Sequence, residues 1–367
     1  MKSQAAGRST FLMLILILTG PVWAGVEVKG TGTASATDLF NAWKQAYGPL
    51  TADVQLEYEP HPGRDGVQNW LGEGADFVLT DLPLSGGEER QTGGNLLYLP
   101  VGLTAAVISY NLPAIPSGLR LTPAVLSHIF SGQITRWNDP ALKELNPGLP
   151  LTAMQITVVR QEDENSLYDL FPFFLKNIDD GWTLEDGSDQ RLKWPVGIQV
   201  KGNEEVTQKL RETAGSIGVV DLDYANQNQL PAAELKNEAG QFAGPTVESI
   251  NASIADITDL PEDLKVFVSH PRDSKAYPLS SFLWVLVRPQ SRPGDHDFSK
   301  PKALADFLSW ITTGGQKVES TAGGIPLPNR LMEKVQEKIK TVQTGDFSVE
   351  KAGAAIPAGS TAVPSSQ

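Results

Sequence analysis

The hydrophobic positions of this chain alternate between short continuous runs and helically spaced patterns. Short apolar runs, which are typical of buried strands, occupy residues 77–80, 103–109, 156–159, 217–220 and 282–287. Half-buried strands are predicted at 26–30 and 54–58, and helices at 38–47, 66–71 and 303–312. We expect the last helix to stop at Gly314 and Gly315. Strands that alternate with helices predict an α/β fold, with a parallel-rich sheet flanked by helices.

The two ends of the chain differ in composition from the rest. Lys2 and Arg8 precede an apolar run at residues 11–18, and small residues precede the bond after Ala24. This run is far shorter than the ~20 residues of a spanning helix, so residues 1–24 are predicted to be a cleaved signal peptide rather than a membrane anchor. Residues 346–367 are rich in Ala, Pro and Ser, which predicts a disordered tail; a tether is the alternative.

Charge and cysteine content exclude several classes of function. The chain has no cysteine, which rules out disulfides, thiol catalysis and a lipid anchor on cysteine. Its net charge of −13 becomes −15 when Lys2 and Arg8 leave with the signal peptide. An acidic surface argues against nucleic acid and anionic membranes as partners. We therefore expect an exported protein of the periplasm, with secretion beyond it as the alternative.

The most distinctive segment is residues 130–148, FSGQITRWNDPALKELNPG. It predicts a helix that ends at Phe130, a turn at Gly132 and a buried anchor at Trp137. Asp139 and Pro140 follow as the cap and first turn of a short helix.

This segment closely resembles the signature segment of periplasmic phosphate-binding proteins, the soluble receptors of phosphate ABC importers. Four more segments resemble the same family in the same order: residues 74–85, 99–113, 194–203 and 215–230. The resemblance implies a two-lobed, type II-like periplasmic-binding-protein fold with a two-strand hinge. It places one lobe at 25–107 plus 274–345 and the other at 108–273. It further implies a monomer that binds inorganic phosphate and has an ABC permease as its partner.

Two of the family's ligand loops lie in the first lobe. At the first helix start the resemblance places Ala34 and Ser35, where Ser35 could donate through its N–H and hydroxyl. The alternative is that Ser35 is a plain helix cap. In the next loop Gly63 stands where the family has a ligand-binding Ser. Arg64 could replace lost donors, pair with Asp65 or face solvent.

Asp81 matches the family's aspartate that accepts a hydrogen bond from a protonated ligand. It follows the buried strand at 77–80, and clefts of open α/β sheets lie at the carboxyl ends of their strands. The alternative role of Asp81 is a helix or turn cap.

The loop at residues 158–171 departs most from the family, which has an Arg, an Asp and a Ser-Gly-Thr run there. Gln161 takes the Arg position, with Arg160 beside it, and Asp163 matches the Asp. The positions of the Ser-Gly-Thr run hold Asn165, Ser166 and Leu167.

These changes predict weakened phosphate binding. Each lost charge-assisted hydrogen bond is worth roughly 1.5–3 kcal/mol, and Glu162 and Glu164 add negative charge beside the site. A register shift that brought Arg160 into the site would turn its neighbours to the wrong face. Judged from side chains alone, we expect weak phosphate binding or none.

The leading interpretation is therefore a periplasmic receptor for phosphate. One alternative is a non-transport relative on the same scaffold that acts as a secreted interaction or signalling protein. Another is a receptor for a different small solute, bound through Arg64, Arg160, Asp81 and Asn165. We expect no enzyme activity, no cofactor and no metal site, since the four histidines are far apart and no catalytic motif is present.

Overall fold

The computed structural model describes residues 25–61, 64–81, 83–93, 96–161, 167–179, 181–183, 192–257, 261–262, 264–266, 268, 271–288, 298–321 and 324–344. Its strands are β1 (Val26–Thr33), β2 (Val54–His61), β3 (Phe77–Thr80), β4 (Leu97–Tyr110), β5 (Arg120–Leu121), β6 (Thr157–Gln161), β7 (Ile198–Val200), β8 (Ser216–Asp221), β9 (Glu234–Lys236), β10 (Phe242–Ala243), β11 (Ser280–Val287) and β12 (Ile325–Pro326). Its helices are α1 (Thr37–Tyr47), α2 (Asp65–Leu71), α3 (Gly86–Gln91), α4 (Pro123–Phe130), α5 (Pro140–Leu145), α6 (Leu167–Ile178), α7 (Gly202–Glu212), α8 (Leu222–Gln227), α9 (Val247–Ala252), α10 (Ser299–Trp310), α11 (Gln316–Thr321) and α12 (Asn329–Thr344). The predicted α/β fold is confirmed.

One half of the main sheet is built from three parallel strands. β1 pairs with β2 along its whole length on one side and with β3 on the other. Helix α1 covers these strands with its apolar face, where Phe40 and Trp43 lie 6.1 and 6.4 Å from the ring of Phe307 in α10. Burial of this aromatic face is what the helical spacing in the sequence predicts.

Strand β4 joins the two halves of the sheet. Its first part pairs antiparallel with β11, and its last residues, from Ala106 to Tyr110, pair antiparallel with β8. The nine-stranded sheet has the order β2-β1-β3-β11-β4-β8-β6-β7, and β12 also pairs with β4. These pairings make β1, β2 and β3 run with β4, while β6, β7 and β8 run against it. The carboxyl ends of both sets therefore face each other near the middle of β4.

The signature segment lies in the second half and is built as its residues predict. Helix α4 ends at Phe130, Gly132 has a φ of +76°, and the Asp139 side chain caps α5 by accepting from the Ala141 N–H at 2.9 Å. Trp137 is fully buried, and its Nε1 donates to the Gly215 carbonyl at 2.9 Å. This indole ties the segment to the loop before β8.

The prediction that Gly314 and Gly315 stop a helix is wrong. The chain continues from α10 through a π-helical turn, Ile311–Gly315, into α11. The glycines admit large side chains instead: a Cβ on Gly314 would lie 2.5 Å from Trp310 Nε1, and Trp43 Nε1 donates to the Gly315 carbonyl at 3.2 Å. Glycine at these two positions allows close packing against the tryptophans and does not end the helical path.

Two sequence predictions fall outside the described residues, namely the signal peptide at 1–24 and the tail at 346–367. Within the described ranges, no helix combines the length and the apolar character needed to cross a membrane.

Candidate functional site

The candidate site lies where the carboxyl ends of the two sets of parallel strands meet. β1 and β3 end there at Thr33 and Thr80, and β6 and β8 end there at Gln161 and Asp221. Ligand clefts of open α/β sheets form at such positions, where strand directions change and the loops that follow the strands converge. The topology thus brings loops from both halves of the sheet to one place.

Ser35 lies just after β1, in a short 3-10 turn that leads into α1. Its Oγ is 2.8 Å from Thr33 Oγ1, and the Tyr58 hydroxyl donates to the Thr33 carbonyl at 2.7 Å. Ser35 lines the same small cavity as Asp221, which belongs to the other half of the sheet, and its hydroxyl lowers the pKa of that carboxyl. Ser35 therefore lies next to a residue of the other half of the sheet, which is the position expected of a cleft residue.

Asp81 follows β3 directly and is almost completely buried, with 1% of its surface exposed. The Ser281 hydroxyl donates to its backbone carbonyl at 2.7 Å, which fixes the chain as it leaves the strand. The Asp81 charge adds to burial in raising the pKa values of Tyr58 and Asp221. This carboxylate thus lies in the interior of the junction, close to groups of both halves.

Asp221 ends β8 and is buried, with 4% of its surface exposed. Asn203, in the first turn of α7, donates from Nδ2 to Asp221 Oδ2 at 2.7 Å, and the Asp221 N–H donates to Asn203 Oδ1 at 3.1 Å. Burial and the neighbouring Asp81 raise the pKa of Asp221 well above its ordinary value, against the opposing effect of Asn203. The junction therefore holds two buried carboxylates, one from each half.

Arg160 and Gln161 are neighbours on β6 and so lie on opposite faces of the sheet. Gln161 is fully buried at the carboxyl end of the strand. Arg160 is partly buried and donates from one guanidinium nitrogen to Gln199 Oε1 of β7 at 3.1 Å, across the register pair Arg160↔Gln199. The Arg position of the resemblance is therefore occupied by a neutral, buried amide.

Arg64 binds a partner that the sequence reasoning did not consider. Its Nε donates to Glu88 Oε1 at 2.9 Å, and its terminal nitrogen pairs with Glu88 Oε2. Gln68 Nε2 donates to the same carboxylate at 3.0 Å, and Glu88 also closes the capping box of α3 through Ser85. Burial alone would raise the pKa of Glu88, but Arg64 and Ser85 hold it below its ordinary value. The guanidinium is thus held beside α3.

A small cavity beside the junction is lined by further acids. Its walls include Ser35, Ala36, Leu39, Leu103, Thr104, Asp221, Leu222, Asp223, Leu283, Glu319 and Gly324. Burial, and secondarily Asp38, raises the pKa of Asp223 to about 6. Burial raises the pKa of Glu319 as well, with Asp223 adding to the shift. Among the described residues, no three His, Cys, Asp or Glu side chains are arranged to hold a metal ion.

Comparison with known proteins decides the family. The family model described as the PBP superfamily domain matches residues 5–314. The phosphate-binding protein PstS of Xylella fastidiosa (strain 9a5c) is 31% identical over 314 residues, which cover 85% of this chain and 84% of that protein. The chain belongs to the PBP superfamily and to its PstS family.

Two further matches from this superfamily extend the similarity. The phosphate-binding protein PstS of the archaeon Methanocaldococcus jannaschii is 30% identical, over 82% of each chain. A solved structure described as a high affinity periplasmic phosphate-binding protein (PfluDING) bound with phosphate has a TM-score of 0.65 at 19% identity. That match covers 85% of this chain and 93% of the other. The structural match supports the two-lobed fold, and the sequence matches confirm the family that the signature segment resembles.

The predicted site residues of this PBP-superfamily chain divide into two groups. The structure places Ser35, Asp81 and Gln161 at the junction of the strand ends, Arg160 on the other face of β6, and Arg64 against Glu88. Four other predicted site residues lie outside the described residues: Gly63, Asp163, Asn165 and Ser166.

Sequence reasoning assigned no role to Asp221 or Asn203, although both lie in segments that resemble the family. A usable signal was present for Asp221, since it follows the apolar run 217–220 as Asp81 follows the run 77–80. The same rule for strand ends would have placed it in the cleft. The Asn203 contact depends on how α7 packs beside β8, which no local pattern encodes.

Proposed function

We propose that this protein is a periplasmic receptor that binds inorganic phosphate between its two lobes and delivers it to an ABC permease. The observation that carries the proposal is the buried Asp81 at the carboxyl end of β3, on the junction where Ser35 and Asp221, from opposite lobes, line one cavity. The PstS relatives, which are named as phosphate-binding proteins, support this choice of ligand.

In this proposal the two residues have complementary tasks. Ser35 donates hydrogen bonds to phosphate oxygens through its hydroxyl and backbone N–H, beside the start of α1. Asp81 accepts a hydrogen bond from a protonated phosphate oxygen, because a carboxylate can only accept. An oxyanion without a proton would leave two anions in contact and would be rejected.

The remaining ligand contacts belong to residues on the other loops. Gln161 is assigned to the cleft as a neutral donor in place of an Arg. The other proposed ligand residues are Gly63, Arg64, Asp163, Asn165 and Ser166. Arg160, which lies on the other face of β6 and donates to Gln199, could contact phosphate only in place of Gln161. For Arg64 to contact phosphate, its guanidinium would have to share donors between the anion and Glu88.

Transport would follow from lobe closure. We assign residues 25–107 plus 274–345 to one lobe and 108–273 to the other, so that β4 crosses between them near Ala106. Phosphate that contacts both lobes would favour the closed form, and the permease would bind that form. The protein would act as a monomer in the periplasm after cleavage behind Ala24, without catalytic activity.

Isothermal titration of residues 25–367 with phosphate tests the proposal, after bound ligand has been removed by reversible unfolding. We expect saturable binding that Asp81→Asn and Ser35→Ala each weaken. The exposed Glu212→Gln change in α7 is the control and should leave the affinity unchanged. Absence of binding up to millimolar phosphate would contradict the proposal and direct the search to other solutes or a protein partner.

A further inference from the structure

The carboxylate of Asp221 holds a position that an anionic ligand of this cleft would need. From the opposite lobe it lines the same small cavity as Ser35, which is the donor assigned to phosphate. Asn203 fixes its orientation through two hydrogen bonds, of 2.7 and 3.1 Å. The side chain is therefore a built component of the junction and is not free to swing away from the cleft.

We propose that Asp221 determines ligand specificity in this cleft by disfavouring fully ionised oxyanions and coupling anion binding to the uptake of a proton. The inference rests on the proposed phosphate-binding function, because it concerns the same cleft. Asp81 and Asp221 would act as a pair, with one carboxylate from each lobe.

The surroundings of Asp221 explain why its ionisation opposes anion binding. Burial raises the pKa of Asp221 most, and the charges of Asp81 at the end of β3 and of Asp223 in α8 add to the shift. Glu319 of α11 lines the same cavity as Asp221 and Asp223. The charge of Asp81 also affects Tyr58 of β2, and the charges of Asp221, Glu204 and Asp38 affect Tyr224 of α8. All of these neighbours are acids or phenols, so each described charge favours the protonated form of Asp221.

The direction of the pH effect follows from these charges. A phosphate anion beside Asp221 adds negative charge and raises the pKa of the Asp221 carboxyl further, while Asp81 remains the acceptor for the phosphate proton. Binding then draws a proton onto the site, and affinity falls as pH rises through the range in which Asp221 ionises. A protonated Asp221 can also donate a hydrogen bond to a phosphate oxygen, which the ionised form cannot do.

Asp221→Asn removes the charge and keeps the shape of the side chain. The amide retains an oxygen that can accept from Asn203 or Ser35. Glu212→Gln is the matched control, since it removes one negative charge from an exposed position in the same lobe. Circular dichroism and thermal melting verify that each variant is folded.

The test measures phosphate affinity by titration calorimetry at about pH 5.5 and about pH 8, values on either side of neutrality. At the higher pH we expect Asp221→Asn to bind phosphate about tenfold more tightly than the wild type. A tenfold change in affinity corresponds to a pKa shift of about one unit on phosphate binding. Little change is expected at the lower pH, and Glu212→Gln should match the wild type at both. Repeating the titrations in two buffers of different ionisation enthalpy should show a smaller proton uptake per phosphate for Asp221→Asn.

The outcomes separate this inference from the function on which it rests. If the wild type fails to bind phosphate and Asp221→Asn binds it, the specificity role stands and the wild-type function is contradicted. Equal affinities for both proteins at both pH values, or weaker binding by the variant, would overturn the role of Asp221 while leaving phosphate binding intact. Failure of both proteins to bind would overturn both. Should Asp221→Asn unfold, the wild-type proton count decides: net uptake of up to one proton per phosphate at the higher pH is expected, and no uptake would overturn the inference.

Discussion

The Tyr277 hydroxyl donates a hydrogen bond to the Ala106 carbonyl at 3.0 Å, at the point where β4 changes partners. Ala105 pairs with β11, whereas Ala106 pairs with β8. The Ala106 N–H donates to the Leu279 carbonyl at 2.9 Å, so residues 277–279 lie beside β4 where it passes between the halves of the sheet. The Tyr277 side chain is fully buried, and its contact lies at the junction between the two halves of the sheet.

Tyr277→Phe should destabilise the protein by about 1–2 kcal/mol, because it removes a buried hydrogen bond and leaves a carbonyl with one acceptor position unfilled. Urea denaturation followed by fluorescence measures the change. Tyr224→Phe, a change at a partly exposed tyrosine of α8, is the comparison and should cost less. An unchanged unfolding free energy for Tyr277→Phe would show that the contact contributes nothing to stability.

Local patterns in the sequence predict the strands and the cleft position of Asp81 well. The short run Phe-Val-Leu-Thr at residues 77–80 gives the bounds of β3, because a strand covered on both faces is mostly apolar. The rule for strand ends then places Asp81 at the junction. The same rule applies to Asp221, whose role sequence reasoning missed.

Other features were not predictable because they depend on partners distant in the chain. Glu88 lies 24 residues from Arg64, and only the packing of α3 brings them together. Gly314 and Gly315 have the composition of a helix stop, but they accommodate Trp310 and Trp43, and the helical path continues. Tertiary packing decides both outcomes, so residue propensity alone is insufficient.

Arg64→Met should destabilise the protein by about 2–4 kcal/mol, because it leaves the Glu88 carboxylate buried without its cation. Only 16% of the Arg64 side chain and 8% of the Glu88 side chain are exposed. The double variant Arg64→Met/Glu88→Leu should recover much of the loss, since no unpaired charge remains. Urea denaturation of both variants checks this, and equal destabilisation in the two would contradict the ion-pair explanation.

The same pair predicts a pH dependence. The pKa of Glu88 is lower in the folded protein than its ordinary value of 4.5. Its contribution to stability is therefore complete above that value and is lost as the pH falls through the lowered pKa. The stability difference between wild type and Glu88→Gln should shrink below about pH 4. A constant difference across this range would argue against an ionic contribution.

Asp223 should show the opposite dependence. Its pKa in the folded protein is about 6, raised from 3.8 by burial and by Asp38. The folded chain holds this proton at pH values where the unfolded chain has lost it, so stability falls as the pH rises from about 4 to about 6. Asp223→Asn should therefore stabilise the protein by about 1–2 kcal/mol at neutral pH and have little effect near pH 4. Denaturation at both pH values tests this, and Glu212→Gln controls for the change in net charge.

Gly102→Ala should destabilise the protein through a steric conflict with a buried acid. A Cβ at this β4 position would lie 1.9 Å from Glu319 Oε1, and Glu319 has 1% of its surface exposed. Glu319 cannot move freely, because Gln316 Nε2 donates to its Oε2 at 3.0 Å and to the Val101 carbonyl at 2.8 Å.

Overpacking of this kind costs about 1–3 kcal/mol, which we expect as the loss of unfolding free energy. Gly48→Ala is the matched control, since an added Cβ there meets no atom within 4 Å. Equal stability of the two variants would mean that α11 shifts away from β4 at little cost. In that case the close contact between Gly102 and Glu319 would not constrain the strand that joins the lobes.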